Sequence, residues 1–185
     1  MYGLVNRAVE QLLRTKFGDA RWAAILARAK LTLPPVVVGM QAYPDAVTYR
    51  LVAAASDELE MPAAELFEAF GEYWMPYTAQ HGYGDLLALG GSTFIDFLQN
   101  LDGLNAHVAA SFPELRPPTF WCTDVTDRTV RLHYSSEREG LAPMVVGIVR
   151  GLGTMFATDV TIEQAASRAE GANHDEFQIT YTLHT

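Results

Sequence analysis

The chain has 185 residues, 49% of them hydrophobic and 19% charged, with a net charge of −9. That is enough apolar material for one domain with a sizeable core, and it excludes a disordered chain. The acidic balance excludes proteins that track nucleic-acid phosphates or coat anionic membranes, both of which need a basic surface. A lone cysteine, Cys122, excludes an internal disulfide and fits a reducing compartment. The stretch from Met1 to Arg7 lacks the pattern of a signal peptide. The longest apolar runs, around Val36–Met40 and Met144–Val149, are too short to cross a bilayer. The expectation is a soluble cytoplasmic protein.

The first two-thirds has helical period. Leu4, Val5, Ala8, Val9, Leu12 and Leu13 form one apolar stripe, and Asp19 suits the cap of a helix reaching Ala29. Pro44 and Pro62 suit the first turns of two more helices, the second running through Trp74 until Pro76 kinks or ends it. Ser92 suits the cap of a helix from Thr93 to about Ala110. Pro113, Pro117 and Pro118 then stop helical structure. Strands follow at Thr119–Thr123, Thr129–Arg138, Val160–Ala165 and Phe177–His184, with a glycine-dotted helix at Met144–Phe156. Helices first and then a mostly antiparallel four-stranded sheet make residues 1–185 a single α+β domain.

The second strand carries the most specific signal. Val130, Leu132 and Tyr134 share one parity, and an alternating strand to Arg138 places Ser136 and Arg138 on the same row. Two hydroxyls and a guanidinium are thus carried inward from an apolar face. Buried arginine is always charged and calls for an anion, and its planar fork suits a carboxylate. The other parity, Arg131, His133, Ser135 and Glu137, reads as solvated.

On the helix Thr93–Ala110, Phe94, Leu98, Leu101, Leu104, Asn105 and Val108 share a stripe, whereas Asp96, Gln99, Asn100, Gly103 and His107 face the other way. At about 100° per residue, Asn105 and His107 stand about 200° apart. An inward amide needs partners, from backbone or water in an ordinary core, or else it faces a ligand cavity.

At these residues the chain resembles the H-NOX (heme nitric oxide/oxygen-binding) domains, including the heme domain of soluble guanylate cyclase. The resemblance runs from Met1-Tyr-Gly-Leu-Val-Asn6 through Phe70-Gly-Glu-Tyr-Trp74 and Asn100-Leu-Asp-Gly-Leu104. It continues in Ser111–Phe120 and His133–Leu141. The Tyr-x-Ser-x-Arg element at Tyr134, Ser136 and Arg138 matches the family signature, which implies that they hold the propionates of heme b. The family's proximal histidine corresponds to Asn105, and His107 to a second, non-ligating histidine. An amide is a poor iron ligand beside imidazole. Turning the helix to present His107 would expose Leu101 and Val108, at roughly 1.5–3 kcal/mol each. Three readings stay open: heme held by its propionates and apolar burial with weak or water-mediated proximal ligation; another tetrapyrrole or apolar ligand; or a proximal bond removed by design. The resemblance further implies that Val5, Trp74, Thr78 and Met144 line the distal side and that Pro118 presses on the macrocycle from the proximal side. An apolar distal wall favours nitric oxide or carbon monoxide over dioxygen, the more polar ligand. In the family, gas binding at iron shifts the proximal helix, which a separate effector such as a kinase or cyclase reads. Since the sequence stops at Thr185, the same signal in trans is expected here.

Other features carry less. Gly147, Gly151 and Gly153 read as packing sites more readily than as ligand contacts. Five histidines (His81, His107, His133, His174 and His184) show no zinc-like spacing with Cys122. Cys122 reads as an ordinary strand residue before a nitric-oxide-sensing thiol. No nucleophile–base set emerges, so the chain reads as no enzyme. The alternatives are a heme-free interaction module, with Tyr134, Ser136 and Arg138 on an internal carboxylate, and, far behind, a small hydrolase or isomerase.

Overall fold

The computed structural model describes residues 1–31, 39, 41–112 and 114–183. Pro113, His184 and the apolar run at 36–40 apart from Gly39 lie outside the described residues. The chain forms two compact units, Met1–Phe70 and Gly71–Thr185.

The first unit holds α1 (Gly3–Ala29), α2 (Asp45–Leu59) and the opening half of α3 (Ala63–Thr78). Ala8, Val9, Leu12 and Leu13 of α1 are buried at helical spacing, as are Leu51, Val52 and Ala55 of α2. Leu4 and Val5, at the start of the stripe, are half-buried. α1 bends at Gly18, whose φ of 83° is open to glycine at no steric cost. Asp19 opens the stretch beyond the bend, and its carboxylate takes Nε of Arg14 at 2.6 Å. Pro44 stands just before α2 with non-helical ψ, and Pro62 just before α3, each one position earlier than a first-turn residue.

The second unit begins inside α3. Pro76 does not end this helix, one of the two outcomes expected of it. The helix continues to Thr78 and runs into a π-helical turn (Ala79–Tyr83) and the short α4 (Gly84–Ala88). Proline removes one helical donor, and nearby the Thr78 hydroxyl donates to the carbonyls of Trp74 (2.8 Å) and Met75 (3.0 Å). Next comes α5 (Phe94–Ser111), capped by Thr93 rather than Ser92: its Oγ1 accepts from the Asp96 amide at 3.2 Å.

Four strands follow: β1 (Thr119–Thr123), β2 (Thr129–Ser135), β3 (Thr158–Ala166) and β4 (Asp175–Leu183), with α6 (Ala142–Met155) between β2 and β3. All pairings are antiparallel, in the order β1-β2-β4-β3. The expected α+β layout of helices followed by an antiparallel sheet is therefore observed. One face of the sheet is core: Phe120, Val130, Leu132, Tyr134, Phe177, Ile179 and Tyr181 are buried. Against this unit's sheet lie α5, beside β1, and α6, beside β3. Phe94 of α5 packs its ring 5.5 Å from that of Tyr181.

Glycine decides how closely α3 and α6 approach. A Cβ at Gly71 would lie 2.1 Å from the Met144 carbonyl oxygen, and one at Gly151 would lie 2.8 Å from that of Glu72. Gly153 makes a similar approach to the Thr158 carbonyl at 2.8 Å. Gly151 and Gly153 of α6 thus serve packing of protein against protein, the first of the two roles read from the sequence.

Candidate functional site

β2 ends at Ser135, so Ser136 and Arg138 lie in the loop beyond it and do not extend its row. Tyr134 is buried at the strand's end, its ring 5.2 Å from that of Phe120 in β1. Ser136 and Arg138 are half-buried rather than fully buried. The Ser136 hydroxyl accepts from the Arg138 backbone amide at 3.0 Å, a local turn that continued pairing would have prevented. Nη1 of Arg138 donates to the Arg116 carbonyl at 2.7 Å. The inward projection expected for all three side chains therefore holds for Tyr134 alone. The other two stand at the mouth of the apolar row.

A second arginine joins them, one the sequence reading missed. Arg168, in a short 3-10 turn between β3 and β4, donates to the Ser136 carbonyl. Its backbone amide, with Nε2 of Gln164, is held by the buried Asp175 carboxylate at 3.0 and 2.9 Å. Only the pairing of β2 with β4, which sets Tyr134 opposite Asp175, brings Arg168 here. No local sequence signal could have done so.

Asn105 lies on the half-buried flank of α5, and its Nδ2 donates to the Pro118 carbonyl at 3.1 Å. Pro118 is half-buried and immediately precedes β1. One turn back on α5, the Asp102 carboxylate accepts from the Phe120 amide at 3.1 Å. Two side chains of α5 thus fasten the start of β1, and Phe120 in turn packs on Tyr134. Asn105, Pro118 and Tyr134 belong to one contiguous patch. His107 is exposed, as its helical phase requires.

Trp74 and Thr78 lie on α3 and Met144 in the first turn of α6, whose backbone comes close to α3 at Gly71. Trp74 and Met144 are half-buried, and Thr78 is buried with its hydroxyl proton committed to its own helix. Trp74 stacks on Tyr77 at 6.1 Å, and Tyr77 on His81 at 4.1 Å. Val5 belongs to the first unit, on α1.

A family model described as haem-NO-binding matches residues 2–164. The chain belongs to the haem-NO-binding family. It is 31% identical over 174 residues to soluble guanylate cyclase gcy-35 of Caenorhabditis elegans, covering 92% of this chain and 25% of that protein. It is 34% identical over 98 residues to guanylate cyclase soluble subunit beta-2 of Rattus norvegicus, covering 52% of this chain and 14% of that one. The chain therefore spans about a quarter or less of these relatives. Its fold matches an H-NOX protein from S. oneidensis in the Fe(II)NO ligation state, with a TM-score of 0.87, 19% identity and coverage of 98% of this chain and 99% of that one. A mutant of an S. oneidensis H-NOX protein in the Fe(II) state gives 0.90 at 20% identity, covering 100% and 98%.

The residues of this haem-NO-binding chain fit part of a heme and not all of it. Tyr134, Ser136 and Arg138 offer hydroxyl and guanidinium donors within five positions, a set suited to carboxylate tails. On α5 the position facing Pro118 carries an amide, whose nitrogen is engaged by backbone, where iron would favour an imidazole. Among the described residues, no helix is long and apolar enough to cross a membrane.

The sheet's other face holds a correction. His133 was expected to be solvated, yet it is 8% exposed. The indole of Trp121 lies flat on its ring, with centroids 4.9 Å apart and 3° between planes. Burial pushes the His133 imidazole below its ordinary pKa, against the pull of the Glu176 carboxylate.

Proposed function

We propose that this chain is a heme-binding gas-sensor module. In this reading Tyr134, Ser136 and Arg138 hold the propionates, Pro118 and Asn105 flank one face of the macrocycle, and Trp74, Thr78 and Met144 line the other. Heme b would supply an iron centre for a diatomic gas. The protein's own share is to clamp the acidic tails, exclude water and shape the wall. The observation that carries the reading is the donor set at the end of β2, where Tyr134 emerges from the core beside a cation four residues on.

Nitric oxide or carbon monoxide is favoured over dioxygen. Thr78 directs its proton to the Trp74 and Met75 carbonyls, and Met144 offers no donor, so neither of these two side chains gives a polar bound gas a hydrogen bond. The chain is not itself an enzyme in this reading. It passes occupancy to a separate effector, such as a kinase or cyclase, in a cytoplasmic setting. Reconstitution of the purified chain with heme tests the proposal: a strong heme absorption band with one heme per chain is expected, and its absence overturns the reading.

The engagement of Asn105 by the Pro118 carbonyl favours a second reading. The same pocket would hold a tetrapyrrole without conventional iron ligation, or an apolar ligand, or would act as a heme-free interaction surface. Binding of metal-free protoporphyrin as tight as that of heme points to this reading, since iron then contributes nothing.

A further inference from the structure

On the sheet face opposite the core, the pairing of three strands assembles a cluster apart from the proposed heme contacts. Trp121 of β1 is in register with His133 of β2, and His133 with Glu176 of β4. All three therefore project to the same side. His174, just before β4, folds back over them: its ring centroid is 4.8 Å from that of Trp121 and 5.1 Å from that of His133. We propose that His133, His174 and Glu176 form a binding site for a divalent transition-metal ion, zinc above all.

The geometry is close to that of a bound ion. Nδ1 of His133 lies 2.9 Å from Nε2 of His174, which lies 3.3 Å from Oε1 of Glu176. The third edge, His133 Nδ1 to Glu176 Oε1, is 3.8 Å. A triangle with these edges has a circumscribed radius of about 2.0 Å, so an ion slightly off its plane sits at roughly 2.0–2.1 Å from all three donors, the length of zinc–imidazole and zinc–carboxylate bonds. Two imidazoles and one carboxylate make a three-ligand set that leaves a fourth position for water. The half-exposed His174 and Glu176 keep that side open to solvent.

Two of the three ligands, His133 and Glu176, also have an orienting partner, as is usual around bound metals. Nε2 of His133 pairs with Thr123 Oγ1 at 2.8 Å; with that nitrogen protonated, Nδ1 keeps its lone pair toward the site. Nη1 of Arg131 takes Oε2 of Glu176 at 3.2 Å and leaves Oε1 turned to the two histidines. Trp121 fixes the plane of the His133 ring. Capture of an ion replaces the His133–His174 hydrogen bond and moves the His174 proton from Nε2 to Nδ1, so no co-reactant is needed. The ion would then fasten the segment before β4 to the middle of the sheet. Sequence spacing alone could not reveal this, because the ligands lie 41 residues apart and meet only through β-pairing.

Zinc titration of the tag-free full chain, stripped with chelator and followed by calorimetry, tests the site. One zinc per chain is expected. His174→Ala and Glu176→Gln should each weaken binding at least ~10-fold, and Thr123→Val by ~10–100-fold through orientation alone. The parent loaded with Co2+ should show the visible bands of a four-coordinate nitrogen/oxygen site, absent in His174→Ala. Glu176→Gln keeps shape and size, and circular dichroism of each variant confirms folding. Failure of the parent to take up zinc saturably, or unchanged zinc affinity in both His174→Ala and Glu176→Gln, overturns the proposal. Heme uptake should be the same in all these variants, so this test and the heme reconstitution succeed or fail separately.

Discussion

The side-chain amide of Asn105 donates to the carbonyl of Pro118 across 3.1 Å, tying α5 to the residue just before β1. This bond gives an inward amide its partner within the protein. Asn105→Ala should remove it and cost about 0.5–1.5 kcal/mol of stability, seen as a lower unfolding midpoint in urea. Asn105→His should place an imidazole on the same flank and shift the absorption spectrum of the heme-loaded protein. His107→Ala should leave that spectrum unchanged, because the exposed His107 points away; a large change would mean that the helix is wrongly phased.

Arg138 tests the anion clamp. The residue is half-buried and its guanidinium already donates to a backbone carbonyl, so it is held in place before any ligand arrives. Arg138→Ala should weaken heme retention by roughly 1–3 kcal/mol, the scale of a hydrogen bond to a charged group. Heme transfer to an acceptor protein reads this directly. A rate equal to the parent's would remove Arg138 from the site.

Two glycines should respond in opposite directions to the same substitution. Gly71→Ala forces a methyl onto the Met144 backbone and should destabilise the second unit by about 1–3 kcal/mol. Gly103, inside α5, has open space around it, so Gly103→Ala should stabilise by roughly 0.5–1 kcal/mol through helix propensity alone. Thermal melts of the pair settle both signs.

Burial pushes the Cys122 thiol up to about 11. The folded state thus holds the proton more tightly than the unfolded chain, whose thiol titrates near 8.5. The linked stability is fully present below that pH and is lost as pH rises through about 11. Cys122→Ala should flatten this alkaline limb of the stability curve. Thiol alkylation of the native protein should be slow at neutral pH, which argues against Cys122 as a reactive sensor.

In the first unit, Arg21 and Arg28 hold the Glu58 carboxyl below the usual carboxylate range, Arg21 contributing more. Nη1 of Arg21 lies 2.7 Å, and Nη2 of Arg28 3.2 Å, from its oxygens. A depressed carboxyl stabilises the fold above its unfolded pKa, and that contribution fades as pH falls through the folded value. Glu58→Gln should therefore lower the melting temperature at pH 7, with the gap closing below about pH 4.

Periodicity carried much of this fold, and particular residues show where it stopped. Ala8, Val9, Leu12 and Leu13 are buried as their spacing requires, and β1 runs over the five residues expected. β2 stops three residues short of Arg138, because the Ser136 hydroxyl takes a backbone amide and turns the chain. Pro76 could end α3 or bend it on its position alone, and the helix runs past it to Thr78. At the candidate site, Tyr134 could be read from its own strand, and the outward phase of His107 from its helix. The bond from Asn105 to Pro118, the arrival of Arg168 and the burial of His133 could not. Each depends on a partner from 13 to 41 positions away, and pattern within one element is blind to such pairings.

The strand order has a consequence for biosynthesis. β4 lies between β2 and β3, yet it leaves the ribosome after both. A nascent chain halted before Asp175 holds only the hairpin of β1 and β2, with β3 detached and the apolar side of α6 lacking its floor. Closure of the sheet must wait for those final rungs, a non-local step that is slow and leaves open edges vulnerable meanwhile. Chaperone demand should therefore last until Leu183 has cleared the ribosome and β4 can enter the gap.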